Sequence, residues 1–329
     1  MEGALLGRAS MNLQSPPLFV DAPADASTLA ELMARSWREN AEQPLEYSSE
    51  FLTSMLGYPG MTADLAPAVV LDGRPAAWAA GFPRHLCVNG ETGRYVLMTF
   101  FTVAPEMKGK GLGAAVWAEC LRRARAAGFN GALHYCVDGN VSNFVTAAGA
   151  RAAGFEAARI FTVPYLMRFL RPAPASEVQP VPDEALGFLQ ESARSLAREV
   201  HVARRWSARE ADWQLRRRMG ACVEWSAEGG LLAGYVMRVA DAERTPCLFV
   251  DEIHWGALPP QRRAELLSRF LGRAAALARL AVVPLLNYTD MSQFQAAGFR
   301  RSPRLLHAFL TPFEGPAPVP ASSLYADVL

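Results

Sequence analysis

Residues 103–117 read VAPEMKGKGLGAAVW: the end of an apolar run, a proline, two lysines among three glycines, and an apolar helix start. Glycine lacks a Cβ, so the chain there can take positive φ and come close to a ligand. The first turn of a helix presents N–H groups without acceptors and the positive end of the macrodipole. A loop of this kind needs a strand to deliver it and a helix to receive it, and it forms a cradle for phosphate.

The flanking sequence supplies both elements. YVLMTFFTV (95–103) is the most strand-like run of the chain, and after the loop Leu112, Val116, Trp117, Cys120, Leu121 and Ala124 form one helical stripe that stops at Gly128. Upstream, PLFV reads as a first strand, 24–37 as a helix and YSSEFLTSMLGYPG as a second short helix. APAVVLDGRPAAWAAGF is a hairpin turning at Asp72-Gly73, and VNGETGR marks another turn. Downstream, GALHYCV is a strand, NVSNFVTAAGARAAGF a helix ending at Gly154, and RIFTVPYLMRFL a closing strand pair or bent strand. RPAPASEVQPVPDE (171–184), with four prolines, reads as a linker.

Beyond the linker the pattern recurs. A helical, arginine-rich stretch (185–219) precedes another strand–turn–strand, the strand CLFVDEIHW, a long amphipathic helix, the strand AVVPLL, a helix ending at Gly298 and a last strand. Gly298-Phe299 follows Gly154-Phe155 by 144 residues, and at that offset Asn287 meets Asn143 and Phe309 meets Tyr165. The chain therefore divides into an arm (1–14), a first domain (15–170), the linker (171–184), a second domain (185–313) and a tail (314–329).

A strand, Val-x-Pro, a loop with basic-x-x-Gly-x-Gly opening a helix, then a strand, an Asn-led helix and Gly-Phe: this succession resembles the GCN5-related N-acetyltransferase (GNAT) family. The resemblance covers roughly 17–170, and 185–313 by repetition. It implies an α/β (α+β) protein of two tandem domains, each a mixed, mostly antiparallel sheet flanked by helices. It implies that the amides of Lys108, Gly109, Lys110, Gly111, Leu112, Gly113 and Ala114 wrap the pyrophosphate of acetyl-CoA or another acyl-CoA. The strand carrying Phe101, Thr102 and Val103 would splay from its neighbour to admit the pantetheine arm. Val103 would then aim its N–H at the thioester carbonyl, and Asn143 would meet the pantetheine. A lysine at 108 replaces the usual glutamine or arginine.

The implied chemistry is acyl transfer to the primary amine of a small molecule by direct attack in a ternary complex, with an N–H stabilising the charged oxygen and a base taking the amine proton. Here the sequence departs from the family. The position of its thiolate-protonating tyrosine holds Ala150, and Phe294 in the second half, while the central strand carries no carboxylate. His134, Tyr135, Tyr165 or water remain as bases. VDEIHW (250–255) adds Glu252 and His254, expected on the strand face opposite Asp251 and Ile253. The second half has LPPQRRAELL where a phosphate loop would stand; proline removes donors, so this half is expected to be a degenerate partner that closes the substrate cleft.

Other classes fit less well. Gly109-x-Gly111-x-x-Ala114 meets a dinucleotide pattern, but the loop follows its strand too late and no acid stands at the required distance. A phosphate-binding NTPase loop needs Ser or Thr after the lysine. A net charge of +1 excludes a nucleic-acid footprint, and the arginine runs at 203–218 and 262–279, interspersed with acids, read as solvated helix faces. Five scattered cysteines without a CxxC pair suggest neither a metal site nor a disulfide framework, and with no leader or spanning segment the expectation is a cytoplasmic protein with no membrane partner. Two alternatives stay open: a non-catalytic acyl-CoA sensor, or another acyl-CoA reaction such as O-acylation or decarboxylation. The tandem domains would act as a monomeric pseudo-dimer or a homodimer.

Overall fold

The computed structural model describes residues 17–22, 25–38, 45–174, 180–315 and 320–326; the arm expected over 1–14 lies outside them. The first half runs β1 (Phe19–Asp21), α1 (Ala26–Arg38), β2 (Leu45–Glu46), α2 (Ser49–Leu56), β3 (Pro67–Leu71), β4 (Arg74–Val88), β5 (Glu91–Val103), α3 (Leu112–Ala126), β6 (Gly131–Val137), α4 (Ser142–Ala152) and β7 (Ala158–Phe169). The second runs α5 (Asp183–Leu196), β8 (Val202–Arg205), α6 (Ala208–Asp212) with a π-helical turn at Trp213–Arg217, β9 (Ala221–Ser226), β10 (Gly230–Val239), β11 (Pro246–His254), α7 (Pro260–Ala275), β12 (Leu280–Pro284), α8 (Ser292–Ala296), β13 (Arg300–Pro312) and β14 (Leu324–Tyr325). The order hairpin–helix–strand–helix–strand occurs in both halves, so the architecture is the mixed, mostly antiparallel tandem fold that the sequence implied.

Local chemistry explains the hairpins. Asp72-Gly73 and Asn89-Gly90 all take positive φ, which matches the right-handed twist of the strands they join. Ser48 caps α2 by accepting from the Phe51 N–H.

The division at the linker is corrected by strand exchange. The strand order is β1-β3-β4-β5-β6-β13-β7-β12-β11-β10-β2 in one continuous sheet. The last strand of the second half, β13, lies between β6 and β7 of the first, while β7 pairs with β12 of the second. Neither half completes its sheet alone. One core cluster accordingly joins Phe51, Trp78 and Phe100 of the first half to Tyr235, Leu286 and Leu310 of the second. At the start of the linker the Ala173 N–H donates to Ala275 O.

Two further expectations fail. The segment 314–329, expected as a tail, is part of the packed sheet over 320–326, because β14 pairs with β8, Leu324 and Tyr325 are buried, and the Ala321 N–H donates to Ile160 O. The stretch 203–218 is not one solvated helix face. β8 interrupts it, and Arg204 and Arg218 are buried, each guanidinium lying over an aromatic ring.

Candidate functional site

The site is built on the divergence of β5 and β6. Their parallel pairing runs from Tyr95↔Gly131 to Met98↔His134 and stops there, although β5 continues to Val103 and β6 to Val137. β6 remains paired with β13 along its other edge. A wedge therefore opens between two strand edges whose polar groups face each other without bonding.

A bulge drives the divergence. Trp78 faces Thr102 and Ala80 faces Thr99, so Phe100 and Phe101 together oppose Ala79. Phe100 takes φ +58° and packs into the core between Trp78 (stacked, 5.4 Å) and Phe82, while the Phe101 ring turns to the other face, edge-on to Trp117. Past the bulge the Ala104 N–H donates to Ala76 O across the β4 edge. The alternation of an antiparallel ladder then turns the Val103 N–H away from β4, toward the wedge. The Ser36 hydroxyl donates to Val103 O at 2.7 Å and so holds the next peptide, Val103–Ala104, at the strand end.

Thr102 is a correction. Its side chain is buried, donates to Phe100 O and accepts from Trp37 Nε1, so it buttresses the bulge and does not face a cofactor.

The loop leaves its strand through a short turn at Pro105–Met107 and enters α3 with Gly109 at φ +77° and Gly111 at φ +80°. The N–H groups of Lys108 and Lys110 close turns on Pro105 O and Met107 O, and the first helical bond is Ala115 N–H to Gly111 O. Those of Gly109, Gly111, Leu112, Gly113 and Ala114 have no main-chain acceptor among the described residues. Lys108 Nζ donates to Ser36 O, and Lys110 is exposed. Gly113 serves packing: a Cβ there would lie 2.7 Å from Phe101 Cζ and 3.0 Å from Val145 Cγ1.

Asn143 stands near the end of the wedge. Its Nδ2 donates to Val137 O and Asn140 O, and its Oδ1 is buried without a partner. A strand-like ligand in the wedge, with amide donors along its length and a diphosphate at one end, fits the unpaired edges, this orphan acceptor and the open cradle. The residues present fit an acyl-CoA.

The proposed bases fare differently. His134 is 1% exposed, stacked on Phe309 and edge-on to Trp117, with both ring nitrogens unpartnered; desolvation pushes its pKa down to about 3. It is a core histidine on the α3 face of the sheet, which corrects its candidacy. Tyr135 and Tyr165 lie on the opposite face, half-buried against the shared core, and burial raises the Tyr165 hydroxyl above its ordinary range. Tyr135 Oη donates to Ala326 O at 3.5 Å.

Glu252 and His254 do point the same way, but into a closed network. His254 Nε2 and Tyr325 Oη both bond Glu252 Oε2, at 2.7 and 2.8 Å, and Trp206 Nε1 donates to Tyr325 Oη. Glu252 is fully buried, so the pair is corrected from a cleft base to an anchor for β14. Asp251 and Ile253 do not share a face. A register shift makes Asp251 the extra residue of a bulge, aimed at Gln214 and Arg218, while Ile253 enters the second-half core. Sequence reasoning missed Ser36, Tyr325 and Arg218; the apolar Leu324-Tyr325 pair in a polar tail was the one available signal.

The second half repeats the divergence without the cradle. β11 and β12 pair in parallel only from Cys247↔Leu280 to Phe249↔Val282. The following loop leads through Pro259 and Pro260 into α7, and Leu258 within it is buried. Asn287, the counterpart of Asn143, donates to Ser322 O and accepts from the Leu324 N–H. Among the described residues no helix is long and apolar enough to cross a membrane, and no group of His, Cys, Asp or Glu is arranged to hold a metal ion.

Comparison with known proteins gives three findings. Residues 27–149 match the model of the acetyltransferase (GNAT) family. No curated protein matches the sequence. Among solved structures, N-myristoyltransferase from Saccharomyces cerevisiae with bound myristoyl-CoA is similar in fold at TM-score 0.71 and 14% identity, covering 94% of this chain and 85% of that one. A GCN5-related N-acetyltransferase from Sphaerobacter thermophilus is similar at TM-score 0.55 and 18% identity, covering 92% and 97%. A probable N-acyltransferase from Enterococcus faecalis is similar at TM-score 0.50 and 11% identity, covering 90% and 72%.

Proposed function

We propose that the GNAT acetyltransferase domain formed by residues 27–149 makes this chain an acyl-CoA-dependent N-acyltransferase, with acetyl-CoA the first donor to test and the primary amine of a small molecule as acceptor. The observation that carries the reading is the unpaired wedge past Met98 and His134, with the Val103 N–H on one side and the orphan Asn143 Oδ1 near its end.

In this reading an acyl-CoA supplies an activated thioester. The N–H groups of Gly109 and of Gly111 to Ala114 hold its diphosphate, helped by the α3 dipole. Asn143 Oδ1 accepts from the pantetheine arm. The Val103 N–H, on a strand end that the Ser36 hydroxyl holds through the Val103 carbonyl, donates to the carbonyl oxygen of the thioester as negative charge grows there. Holding donor and acceptor in one cleft removes much of the entropic barrier to direct attack. His134 and Glu252 are closed off and burial keeps the Tyr165 hydroxyl protonated, so the amine proton leaves through water or through Tyr135 on the acceptor-side face. In the same reading the exchanged strands support a chain that acts as a pseudo-dimer, by itself or as a homodimer. A soluble cytoplasmic setting, with neither nucleic acid nor membrane as partner, belongs to the same reading.

A second reading has its own support. Ala150, at the family's tyrosine position, is fully buried in the core, and the strand residues that border the wedge, 99–103 and 135–137, include no carboxylate. Those features suit a protein that binds acyl-CoA without turning it over. Thiol release from acetyl-CoA and from longer acyl-CoAs over an amine panel decides: turnover with any amine supports the transferase, and calorimetric binding without thiol release from any pair supports the sensor. Product mass distinguishes N-acylation from O-acylation or decarboxylation.

A further inference from the structure

Two backbone irregularities meet in the second half. The π-helical turn Trp213–Arg217 runs into Arg218, and the β11 bulge projects Asp251. Such departures cost stability and recur where a side chain must be aimed at a ligand. Together they bring Arg218 Nη1 to 2.6 Å and Gln214 Nε2 to 2.9 Å from Asp251 Oδ2, and Arg218 Nη1 also donates to Gln214 Oε1. Arg218 is 3% exposed. A buried ion pair gains little over well-packed apolar residues, so stability alone does not account for this one.

The guanidinium is only half used. Its plane lies over the Tyr235 ring, Cζ 3.4 Å from the centroid, and its Nη1 corner serves Asp251 and Gln214. Nε and Nη2 are buried with no acceptor. Those two atoms form the edge that binds a carboxylate through two parallel hydrogen bonds.

The surroundings tie this edge to the acceptor side of the wedge. The Tyr235 ring stacks with Phe51 at 6.4 Å and with Phe249 at 5.6 Å, and Phe51 meets Phe100, the bulge residue ahead of Val103. Tyr47 and Tyr165 lie within electrostatic reach of Tyr235, and burial raises all three hydroxyls, keeping them protonated donors. Tyr165 and Phe249 are half-buried and form the outer part of this aromatic surface.

We infer that Arg218 receives a carboxylate of the acceptor on its Nε–Nη2 edge. The acceptor is then an amine that also carries a carboxylate, the two joined by a partly apolar stretch that lies along the aromatic surface. This rests on the transferase reading of the wedge and adds the second half as the part that reads the acceptor.

The test uses the full chain and matched pairs: 6-aminohexanoate against hexylamine, and phenylalanine against phenethylamine. At least one carboxylate partner is expected to exceed its plain amine about tenfold or more in kcat/KM, the range of a charged hydrogen bond. Arg218→Lys keeps a cation beside Asp251 but loses the planar fork. It should raise KM for the carboxylate substrate about 10- to 100-fold and so lower the preference for that substrate over its plain amine by the same factor. Equal use of both members of each pair by the wild type, or an equal loss for both in the variant, overturns the inference. Should the variant not fold, hexanoate against hexanol as competitors of the wild-type reaction gives the same reading, and inhibition by hexanol alone sinks it. Calorimetry with hexanoate separates the two levels of argument: failure to bind CoA defeats the transferase reading, whereas hexanoate binding still reports on Arg218 by itself.

Discussion

The Ser36 hydroxyl donates to the Val103 carbonyl at 2.7 Å, so a helix residue holds the end of the strand whose Val103 N–H, in the preceding peptide, turns toward the wedge. Ser36 is buried, and removing its hydroxyl leaves the carbonyl short of a donor. Ser36→Ala is expected to cost about 1–3 kcal/mol of stability. It should also lower kcat about tenfold with little change in KM for acyl-CoA, because the diphosphate cradle is untouched. Steady-state thiol release checks this; an unchanged kcat in a folded variant removes Val103 from the chemistry.

Gly113 and Gly109 are glycines for different reasons. A Cβ on Gly113 would press into Phe101 and Val145, whereas Gly109 has open space around it and only its φ of +77° is demanding. Gly113→Ala is expected to destabilise by about 1–3 kcal/mol through overpacking. Gly109→Ala should cost less, since an exposed loop relaxes to negative φ, yet it should weaken CoA binding by spoiling the cradle. Denaturant midpoints together with calorimetric titration separate the two. A Gly109 variant that binds CoA as well as the wild type removes that amide from the cradle.

Features dictated by neighbours in sequence were legible; those decided by distant partners were not. Asp72-Gly73 and Asn89-Gly90 announce their turns because only positive φ fits a tight hairpin, and both occur as read. The glycine loop ahead of α3 and the stripe through Val116 and Leu121 follow from local rules in the same way. The insertion of β13 between β6 and β7 does not. Alternation along 300–312 says which residues share a face but not which strand edge lies alongside.

Within the site the same boundary holds. Gly109, Gly111, Val103 and Asn143 stand at motif positions, so local sequence alone points to them. Arg218 was hidden in an arginine run whose composition says solvent, and only the turn at Trp213–Arg217 and the Tyr235 ring make it a core residue. His134 misled in the opposite direction. A histidine between apolar neighbours is compatible with a cleft wall or a core, and stacking on Phe309 of the distant strand β13 decides for the core.

The anchor of the C-terminal segment is open to a single-atom test. Tyr325→Phe leaves Trp206 Nε1 without an acceptor and deprives Glu252 Oε2 of one of its two donors. A loss of about 1–3 kcal/mol is expected, read from the denaturant midpoint. Hydrogen exchange over residues 320–326 should accelerate more than exchange in α3, because the segment would then lose its buried side-chain anchor and keep the bonds to Asn287, His201 and Tyr135. Unchanged protection there would show that main-chain pairing of β14 with β8 suffices.

His134 gives the protein a defined weakness to acid. Its pKa falls from an ordinary 6.5 to about 3 in the folded chain because burial denies the imidazolium its water. Between those values the unfolded chain binds a proton that the folded chain does not, so unfolding is favoured as pH drops. The stability tied to this ring is fully present above about pH 6.5 and is lost progressively toward pH 3, at about 1.4 kcal/mol for each pH unit inside the window. From pH 7 to pH 5 the loss amounts to about 2 kcal/mol. His134→Phe would keep an aromatic ring between Trp117 and Phe309 and remove the titration. Its unfolding free energy, measured in denaturant at several pH values, should fall less steeply on the acid side than that of the wild type. Parallel curves for the two proteins would mean that the wild-type ring takes up its proton without unfolding.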